Sequence, residues 1–293
     1  MTKARRQSPY FERVAILGVG LLGASLGLAL KRRGLAGTVV GVGRPGSESL
    51  GVAKRRRAID VGVTDPAEGA GGADLVVLCT PVRQFPGMLR LIGPSLKRGA
   101  VVTDVGSTKA QVMKWAGQLV PRGVDFVGSH PMAGSEKRGP EFARADLYEN
   151  AVCLLCGKDS GARRKLQALW GALGMKTICL DAVEHDRWVA AISHLPHAAA
   201  TCLVMTAAEK PEALAAIAGG FIDTTRIASS DVDMWTDIFL TNRHAVSAAL
   251  GRYARRLAGF RKAVEAGDER AIRHHLTWAQ KIRNEIVARR GGR

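Results

Sequence analysis

A glycine-rich turn between a predicted strand and a predicted helix constrains the fold of this chain more than any other feature. The turn follows the aliphatic run Val14–Leu17 and opens a segment with helical spacing, Leu21–Arg33. In such a G-x-G-x-x-G turn, the first glycine allows a tight bend, the second lets a pyrophosphate approach, and the third lets helix and strand pack closely. The pyrophosphate would lie at the positive end of the helix. We therefore predict a dinucleotide site formed by Gly18, Val19, Gly20, Leu21, Leu22 and Gly23.

The first 180 or so residues alternate short apolar runs with helical segments such as Lys109–Leu119. This alternation predicts a parallel sheet covered on both faces. After Asp181 the chain consists of long segments rich in Ala, Leu and Arg, without a convincing strand. We predict an α/β N-terminal Rossmann domain with a mostly parallel sheet over residues 1–181, followed by an all-α domain over residues 182–293. The predicted strands include Val14–Leu17, Thr38–Val42, Leu75–Cys79, Ala100–Asp104 and Asp125–Val127.

The end of the second predicted strand bears on the choice between NAD and NADP. An acidic residue about 20 residues after the glycine motif commonly binds the adenine ribose of NAD. Here the strand is followed by Gly43 and Arg44. A glycine removes the repulsion of a 2′-phosphate, and Arg44, with Ser47, can bind that phosphate. The pattern favours NADP, whereas Arg44 stacked on the adenine would leave NAD as the cofactor.

Polar residues follow several of the predicted strands at the point where each strand ends. Thr80 and Pro81 follow one strand and are expected to line the cofactor cleft, although a simple proline turn explains them equally well. The segments Asp104–Lys109 and Ser129–Glu136 follow two more strands and should reach the same edge of the sheet. A histidine at this edge, His130, is a candidate acid/base because its ordinary pKa lies near neutrality.

Two short patterns raise the question of a metal site. Cys153 and Cys156 form a C-x-x-C pair, but they lie in an apolar run typical of a buried strand, where residues three apart point to opposite faces. His194 and His197 form an H-x-x-H pair, but Pro196 lies between them and no matching carboxylate is present. Pro196 should also kink the helix. We predict core cysteines and no metal.

Taken together, these motifs resemble the prephenate/arogenate dehydrogenases of tyrosine biosynthesis over about residues 13–285. The resemblance implies oxidative decarboxylation of prephenate or arogenate, with hydride transfer to NADP or NAD, giving 4-hydroxyphenylpyruvate or tyrosine. It also implies a homodimer formed through the helical domain. The motifs that carry it, in this order, are Gly18–Gly23, Asp104–Lys109, His130–Glu136, Ser193–His197, Gly220–Ala228 and Met234–Ile238.

The resemblance implies a role for individual residues. His130 matches the catalytic histidine that binds the ring hydroxyl, and Ser107 matches a serine that orients this histidine and the nicotinamide. Arg226 matches the arginine that binds the ring carboxylate. The further substrate-binding positions are Ser193, His197, Glu136 and Trp235. Glu136 matches an acidic residue associated with gating the pocket, and Trp235 is expected close to Glu136.

The charge of the chain, 43 Lys and Arg against 26 Asp and Glu, gives a net charge of +17 and favours anionic partners. A basic nucleic-acid-binding protein is one alternative, but the basic runs are short and scattered. Another is an NADP-sensing protein without turnover, and a third is a different Rossmann-plus-helical hydroxy-acid dehydrogenase, which would commonly use a lysine as acid/base. We expect no nucleic-acid partner.

Cysteine usage and the apolar runs bear on the compartment. An odd number of cysteines, 5, favours a reducing compartment, the cytoplasm. The uncharged stretch Val14–Leu30 is short and glycine-rich for a membrane span, so no membrane association is expected. Since no motif of a regulatory domain or of a mutase domain flanks the two predicted domains, we expect a monofunctional enzyme.

Overall fold

The computed structural model describes residues 10–135 and 137–291. Within these residues, eight strands form one sheet in the order β3-β2-β1-β4-β5-β6-β7-β8. The strands are β1 (Phe11–Leu17), β2 (Ala36–Val42), β3 (Val61–Val63), β4 (Leu75–Leu78), β5 (Val101–Asp104), β6 (Asp125–Pro131), β7 (Val152–Cys156) and β8 (Lys176–Leu180). The helices are α1 (Leu21–Arg32), α2 (Ser49–Arg55), α3 (Pro66–Ala70), α4 (Phe85–Ile92), α5 (Ala110–Leu119), α6 (Gly161–Ala172), α7 (Ala182–Val189), α8 (Leu195–Ala207), α9 (Gly219–Thr225), α10 (Val232–Thr241), α11 (Arg243–Glu265) and α12 (Glu269–Gly291).

Strands β1 to β6 are parallel, with β1 between β2 and β4. Successive side chains of a strand point to opposite faces, so both faces of β1 are apolar and both are covered. Val14 and Ile16 pack in one core cluster, which includes residues of α1 and α6. Ala15 and Leu17 pack in a second cluster, which includes residues of α3 and α4. This doubly covered, mostly parallel sheet confirms the predicted Rossmann-type fold.

The region around β6 differs from the prediction. A strand was expected only over Asp125–Val127, but β6 continues to Pro131 because its second half pairs with the antiparallel strand β7. His130 therefore lies within a strand, opposite Leu154 of β7, rather than in the loop that follows. The strands β3 and β8 were missed, because β3 is very short and no residue of β8 is fully buried.

The C-x-x-C pair lies in strand β7 with both cysteines buried and free. Burial raises the pKa of the Cys156 thiol to about 12 and that of Cys153 well above its usual value. Both side chains are therefore neutral thiols of the sheet core. Across residues 10–135 and 137–291, no group of three or more His, Cys, Asp or Glu side chains could hold a metal ion.

After β8 the described chain contains only helices and turns. Helices α7 and α8 are joined by a π-helical turn, Ala190–His194, directly before Pro196. A proline lacks the amide hydrogen of a regular helical turn, and a π turn is one way in which a helix accommodates such a disturbance. The π turn lies directly before Pro196, and His194 at the end of this turn is buried. The kink predicted at Pro196 stays a prediction.

By length and composition, the helical segment Ala182–Ala207 could cross a membrane, and it is the one such segment in the part of the chain that the structure describes. The segment carries the buried ionisable side chains of His185, Asp186 and His194. Such groups are costly inside lipid. The length and composition of Ala182–Ala207 are therefore weak support for a membrane-spanning helix.

The chain forms two compact units, one ending at Arg243 and one from His244 onward. The second unit is a pair of long helices, α11 and α12, in contact through Phe260 with His275 and through Arg256 with Trp278. The change from α/β to helical structure falls at Leu180, whereas α7 to α10 belong to the same compact unit as the sheet. The predicted domain boundary between residues 181 and 182 stays a prediction.

Candidate active site

The glycine turn after β1 has the geometry of a phosphate cradle. Gly18 has a φ of +100°, and a Cβ there would lie 2.8 Å from the backbone of Cys79. A Cβ on Gly23 would lie 2.0 Å from the carbonyl oxygen of Gly18. Both positions therefore require glycine. A Cβ on Gly20, in contrast, would have no atom of the described chain within 4 Å and would point into open space.

The residues around this open space fit a dinucleotide. Helix α1 begins directly after Gly20, and no side chain of the described residues caps its N-terminus, so its first amides are available to an anion. Val19 is buried, while Leu21 and Leu22 are half-buried in the turn and first helical turn. Thr80 Oγ1, on the neighbouring loop after β4, is buried without a hydrogen-bond partner in the described chain.

The carboxyl ends of β1, β4, β5 and β6 lie along one edge of the sheet, since these strands are parallel. The order of the strands reverses between β1 and β4, which is where dinucleotides bind in open α/β sheets. A cavity of about 470 Å³ is lined by Leu21 of α1 and by Gly134 and Ser135, which follow β6. The glycine turn and the segment after His130 therefore share this edge, as predicted.

His130 is buried in β6 and bonded to a second histidine that the sequence did not indicate. Its Nδ1 lies 2.9 Å from Nε2 of His185 in α7. Nδ1 of His185 in turn lies 2.8 Å from Oδ1 of Asp186. Burial lowers the pKa of His130 well below its usual value, and the neighbouring His185, Lys109 and His194 lower it further. His130 is consequently a neutral imidazole at neutral pH.

A buried ion pair shapes the loop between β5 and α5. Lys109 Nζ lies 2.5 Å from Oδ2 of Asp104, and both side chains are fully buried. Lys109 also donates to the carbonyl oxygens of Gly106 and Thr108, while Asp104 accepts from the amides of Gly106 and Ser129. Burying both charges is costly unless they are paired and hydrogen-bonded, as they are here. The pair therefore fixes the backbone on either side of the half-buried Ser107.

Aromatic and polar side chains of the helical segment form a second cluster. The rings of His197 and Trp235 are stacked with centroids 3.6 Å apart. Asn242 Nδ2 bonds both to the carbonyl oxygen of Asp186, at 2.8 Å, and to Nδ1 of His194, at 3.1 Å. In the described part of the chain, His194 Nε2 and His197 Nδ1 are buried without partners. Burial lowers the pKa of His194 to about 4 and also lowers that of His197.

The remaining predicted site residues have fewer contacts in the structure. Ser193 is half-buried in the π turn, and Arg226 is exposed in a short helical turn after α9. Arg44 is exposed after β2, and Ser47 Oγ bonds to Ser49. The ligand contacts of these four residues, of the exposed Pro81 and of Ser107 stay predictions. Glu136 lies outside the described residues.

Sequence reasoning missed His185, Asp186 and Asn242. The sequence does hold one signal for His185, since it lies four residues before Val189 and would share a helical face with it. Both residues are buried in α7, as is Asp186. A histidine and an aspartate on the apolar face of a predicted helix need partners. Their partners, on β6 and at the start of α5, are distant in sequence and could not be read from the pattern.

The sheet order, the glycine cradle and the buried histidine at the shared edge define an NAD(P)-dependent oxidoreductase with a Rossmann-type domain followed by a helical domain. Two family models match most of the chain: "Prephenate dehydrogenase, nucleotide-binding domain" over residues 26–178 and "Prephenate dehydrogenase, dimerization domain" over residues 181–278. The chain belongs to the prephenate dehydrogenase family, whose reaction is an oxidative decarboxylation.

Individual relatives agree with this assignment. A prephenate dehydrogenase from Lactococcus lactis is 34% identical over 96% of this chain and 79% of its own length. A cyclohexadienyl dehydrogenase from Zymomonas mobilis is 33% identical over 93% of this chain and 95% of its own length. The crystal structure of prephenate dehydrogenase from Aquifex aeolicus with hydroxyphenyl propionate and NAD+ has a TM-score of 0.86, with 34% identity over 94% of this chain and 98% of that one.

Proposed function

We propose that His130 is the general base in the oxidative decarboxylation of prephenate or arogenate by this chain. The observation that carries the proposal is the buried, neutral His130 on β6, at the sheet edge that also carries the glycine turn. A neutral imidazole can accept the proton of the ring hydroxyl. Ser107 lies in the loop between β5 and α5 and is proposed to orient His130 and the nicotinamide.

The chemistry needs one proton acceptor and one holder of the carboxylate. When bound, the nicotinamide would supply the hydride acceptor for the ring carbon that carries the hydroxyl group. As this carbon becomes a carbonyl carbon, His130 takes the hydroxyl proton, and it returns that proton to the oxygen when the ring becomes aromatic. The electrons of the ring–carboxylate bond enter the ring as CO₂ leaves, so the overall step is effectively irreversible.

Arg226 is proposed to hold the ring carboxylate until CO₂ departs. A planar guanidinium can bind a carboxylate through two parallel hydrogen bonds, which fixes its orientation. Ser193 and His197 are proposed to bind the rest of the substrate, with Trp235 supporting His197 by ring stacking. The buried Nδ1 of His197, which has no hydrogen-bond partner among the described residues, supports a ligand contact there. Glu136 is proposed to gate the pocket on the basis of its motif alone.

We propose a preference for NADP over NAD, based on Gly43 and Arg44 after β2. Replacing Gly43 by an acid is an unsuitable test, since a Cβ there would lie 2.7 Å from Cγ of Leu50. Arg44→Ala is cleaner because this side chain is exposed. The variant should lower kcat/KM for NADP+ relative to NAD+. An unchanged ratio of kcat/KM for the two cofactors would mean that residues other than Arg44 recognise the adenine end of the cofactor.

The substrate is tested by following nicotinamide reduction with prephenate and arogenate, each paired with NAD+ and NADP+. The proposal predicts rapid reduction with at least one of the two substrates. No reduction with either substrate would refute the proposed reaction. The four rates also identify the preferred substrate and cofactor in one experiment.

We propose that a second copy of the chain covers the apolar face of α11, in agreement with the matched dimerization domain. Tyr253, Leu257 and Val264 are exposed at spacings of four and seven residues, so they lie on one helical face. An exposed stripe of this kind is typical of an interaction surface. Light scattering should give twice the chain mass, and Leu257→Glu should give the mass of one chain.

The proposed compartment is the cytoplasm. All five cysteines are free thiols. Free thiols are the usual state in a reducing compartment.

A further inference from the structure

A continuous line of hydrogen bonds runs from His130 to the N-terminus of α5. It begins at Nδ1 of His130, passes through both nitrogens of His185, and ends at the carboxylate of Asp186. The two imidazole rings are tilted by 56° with centroids 5.1 Å apart, so they meet through their nitrogens rather than their faces. All three side chains are buried.

Asp186 determines the direction of these bonds. Its Oδ1 accepts from the amide of Lys109 at 2.7 Å, and its Oδ2 accepts from the amide of Ala110 at 3.0 Å. A carboxylate held by two amide donors can only accept from a third partner. Nδ1 of His185 must therefore carry a hydrogen. In a neutral imidazole the other nitrogen, Nε2, is then an acceptor.

The tautomer of His185 determines that of His130. Because Nε2 of His185 is an acceptor, Nδ1 of His130 must donate, and Nε2 of His130 carries the lone pair. The geometry points to His185 and Asp186 as a positioning pair that holds His130 in the tautomer able to accept a proton at Nε2 and stabilises the imidazolium that results. This inference rests on the proposed role of His130 as general base.

The surroundings explain why such a pair is needed. Burial and neighbouring cationic or ionisable groups disfavour a positive charge on His130. The negative charge of Asp186, transmitted through the oriented His185, opposes this effect in a poorly solvated site. The charged and titratable groups around His130 are His185 and Asp186 on α7, Lys109 and Asp104 beside α5, His194 in the π turn and Cys153 on β7.

Two substitutions of His185 separate positioning from packing. His185→Leu fills the space but removes the acceptor for His130, whereas His185→Gln places an amide oxygen that can still accept from Nδ1. We expect kcat of His185→Leu to fall by about 10² or more, the range of general-base catalysis, with KM and the nucleotide Kd unchanged. His185→Gln should retain most of kcat. Equal losses in both variants, or no loss in His185→Leu, would overturn the inference.

The tautomer can be observed without any turnover. In ¹⁵N NMR of the wild-type protein at neutral pH, His130 should show a protonated Nδ1 and an unprotonated Nε2, assigned by comparison with His130→Asn. A protonated Nε2 would overturn the inference even if the enzyme is active. If wild type shows the expected tautomer but reduces no nicotinamide with prephenate or arogenate, the proposed reaction fails while the positioning pair stands.

Discussion

The nucleotide-binding end and the reacting end of this site are built in different ways. The nucleotide-binding end is formed mainly by backbone. Gly18 and Gly23 allow a bend that no larger residue permits, and Gly20 leaves room for a ligand. At the reacting end, buried side chains form the site, with His130 bonded to His185 across a separation of 55 residues. A site can therefore combine a part that depends on local sequence with a part that depends on the complete fold.

The largest expected effect comes from removing the base at the reacting end. His130→Asn should lower kcat by about 10²–10⁴-fold, because an amide cannot accept the hydroxyl proton. Nucleotide affinity should be unchanged, since the glycine turn is untouched. Steady-state absorbance of the reduced nicotinamide gives kcat, and quenching of intrinsic fluorescence gives the nucleotide Kd. Unchanged turnover would remove His130 from the mechanism.

The complementary change affects the nucleotide-binding end alone. Gly20→Ala should fold normally, since its Cβ meets no atom of the described chain, but it should weaken nucleotide binding by about 1–3 kcal/mol through crowding. Gly117→Ala is the matched control, because a Cβ on this exposed glycine of α5 also meets no atom of the described residues within 4 Å. Both variants are compared by nucleotide titration. Equal affinities would show that the ligand does not approach Gly20.

A smaller, substrate-specific effect is expected at Arg226. Arg226→Ala should raise KM for prephenate or arogenate by an amount equivalent to about 1.5–3 kcal/mol, the usual contribution of a hydrogen bond to a charged group. Nucleotide affinity should stay the same. Arg226→Lys should recover part of the loss, since a point charge replaces the planar group. An unaffected KM would mean that another residue holds the carboxylate.

The smallest expected effect is on stability in acid. Burial lowers the pKa values of His130, His185 and His194 in the folded protein, that of His194 to about 4. At pH values between the ordinary histidine pKa and these lowered pKa values, the unfolded chain therefore binds more protons than the folded protein. The free energy of unfolding consequently decreases as the pH falls from about 6.5 towards 4. Tm measured across this range should decrease. His194→Asn, which keeps a polar group beside Asn242, should make the decrease shallower.

The difference between the two ends also explains what could be predicted from the sequence. The glycine turn and its strand and helix are contiguous, so the sheet and the dinucleotide site follow from local patterns. The position of His130 within β6 depends on pairing with β7, which returns antiparallel more than twenty residues later. The roles of His185 and Asp186 depend on contacts with β6 and α5, which no local pattern encodes.

The proposed role of His130 is tested by measuring the products of a single turnover at saturating nucleotide. Wild type and His130→Asn are each mixed with prephenate or arogenate, and reduced nicotinamide and CO₂ are quantified together. Wild type should give equal amounts of both products, and His130→Asn should give neither on the same time scale, although the variant binds nucleotide normally. Reduced nicotinamide without CO₂ from wild type, or full product formation by His130→Asn, would contradict the proposed mechanism.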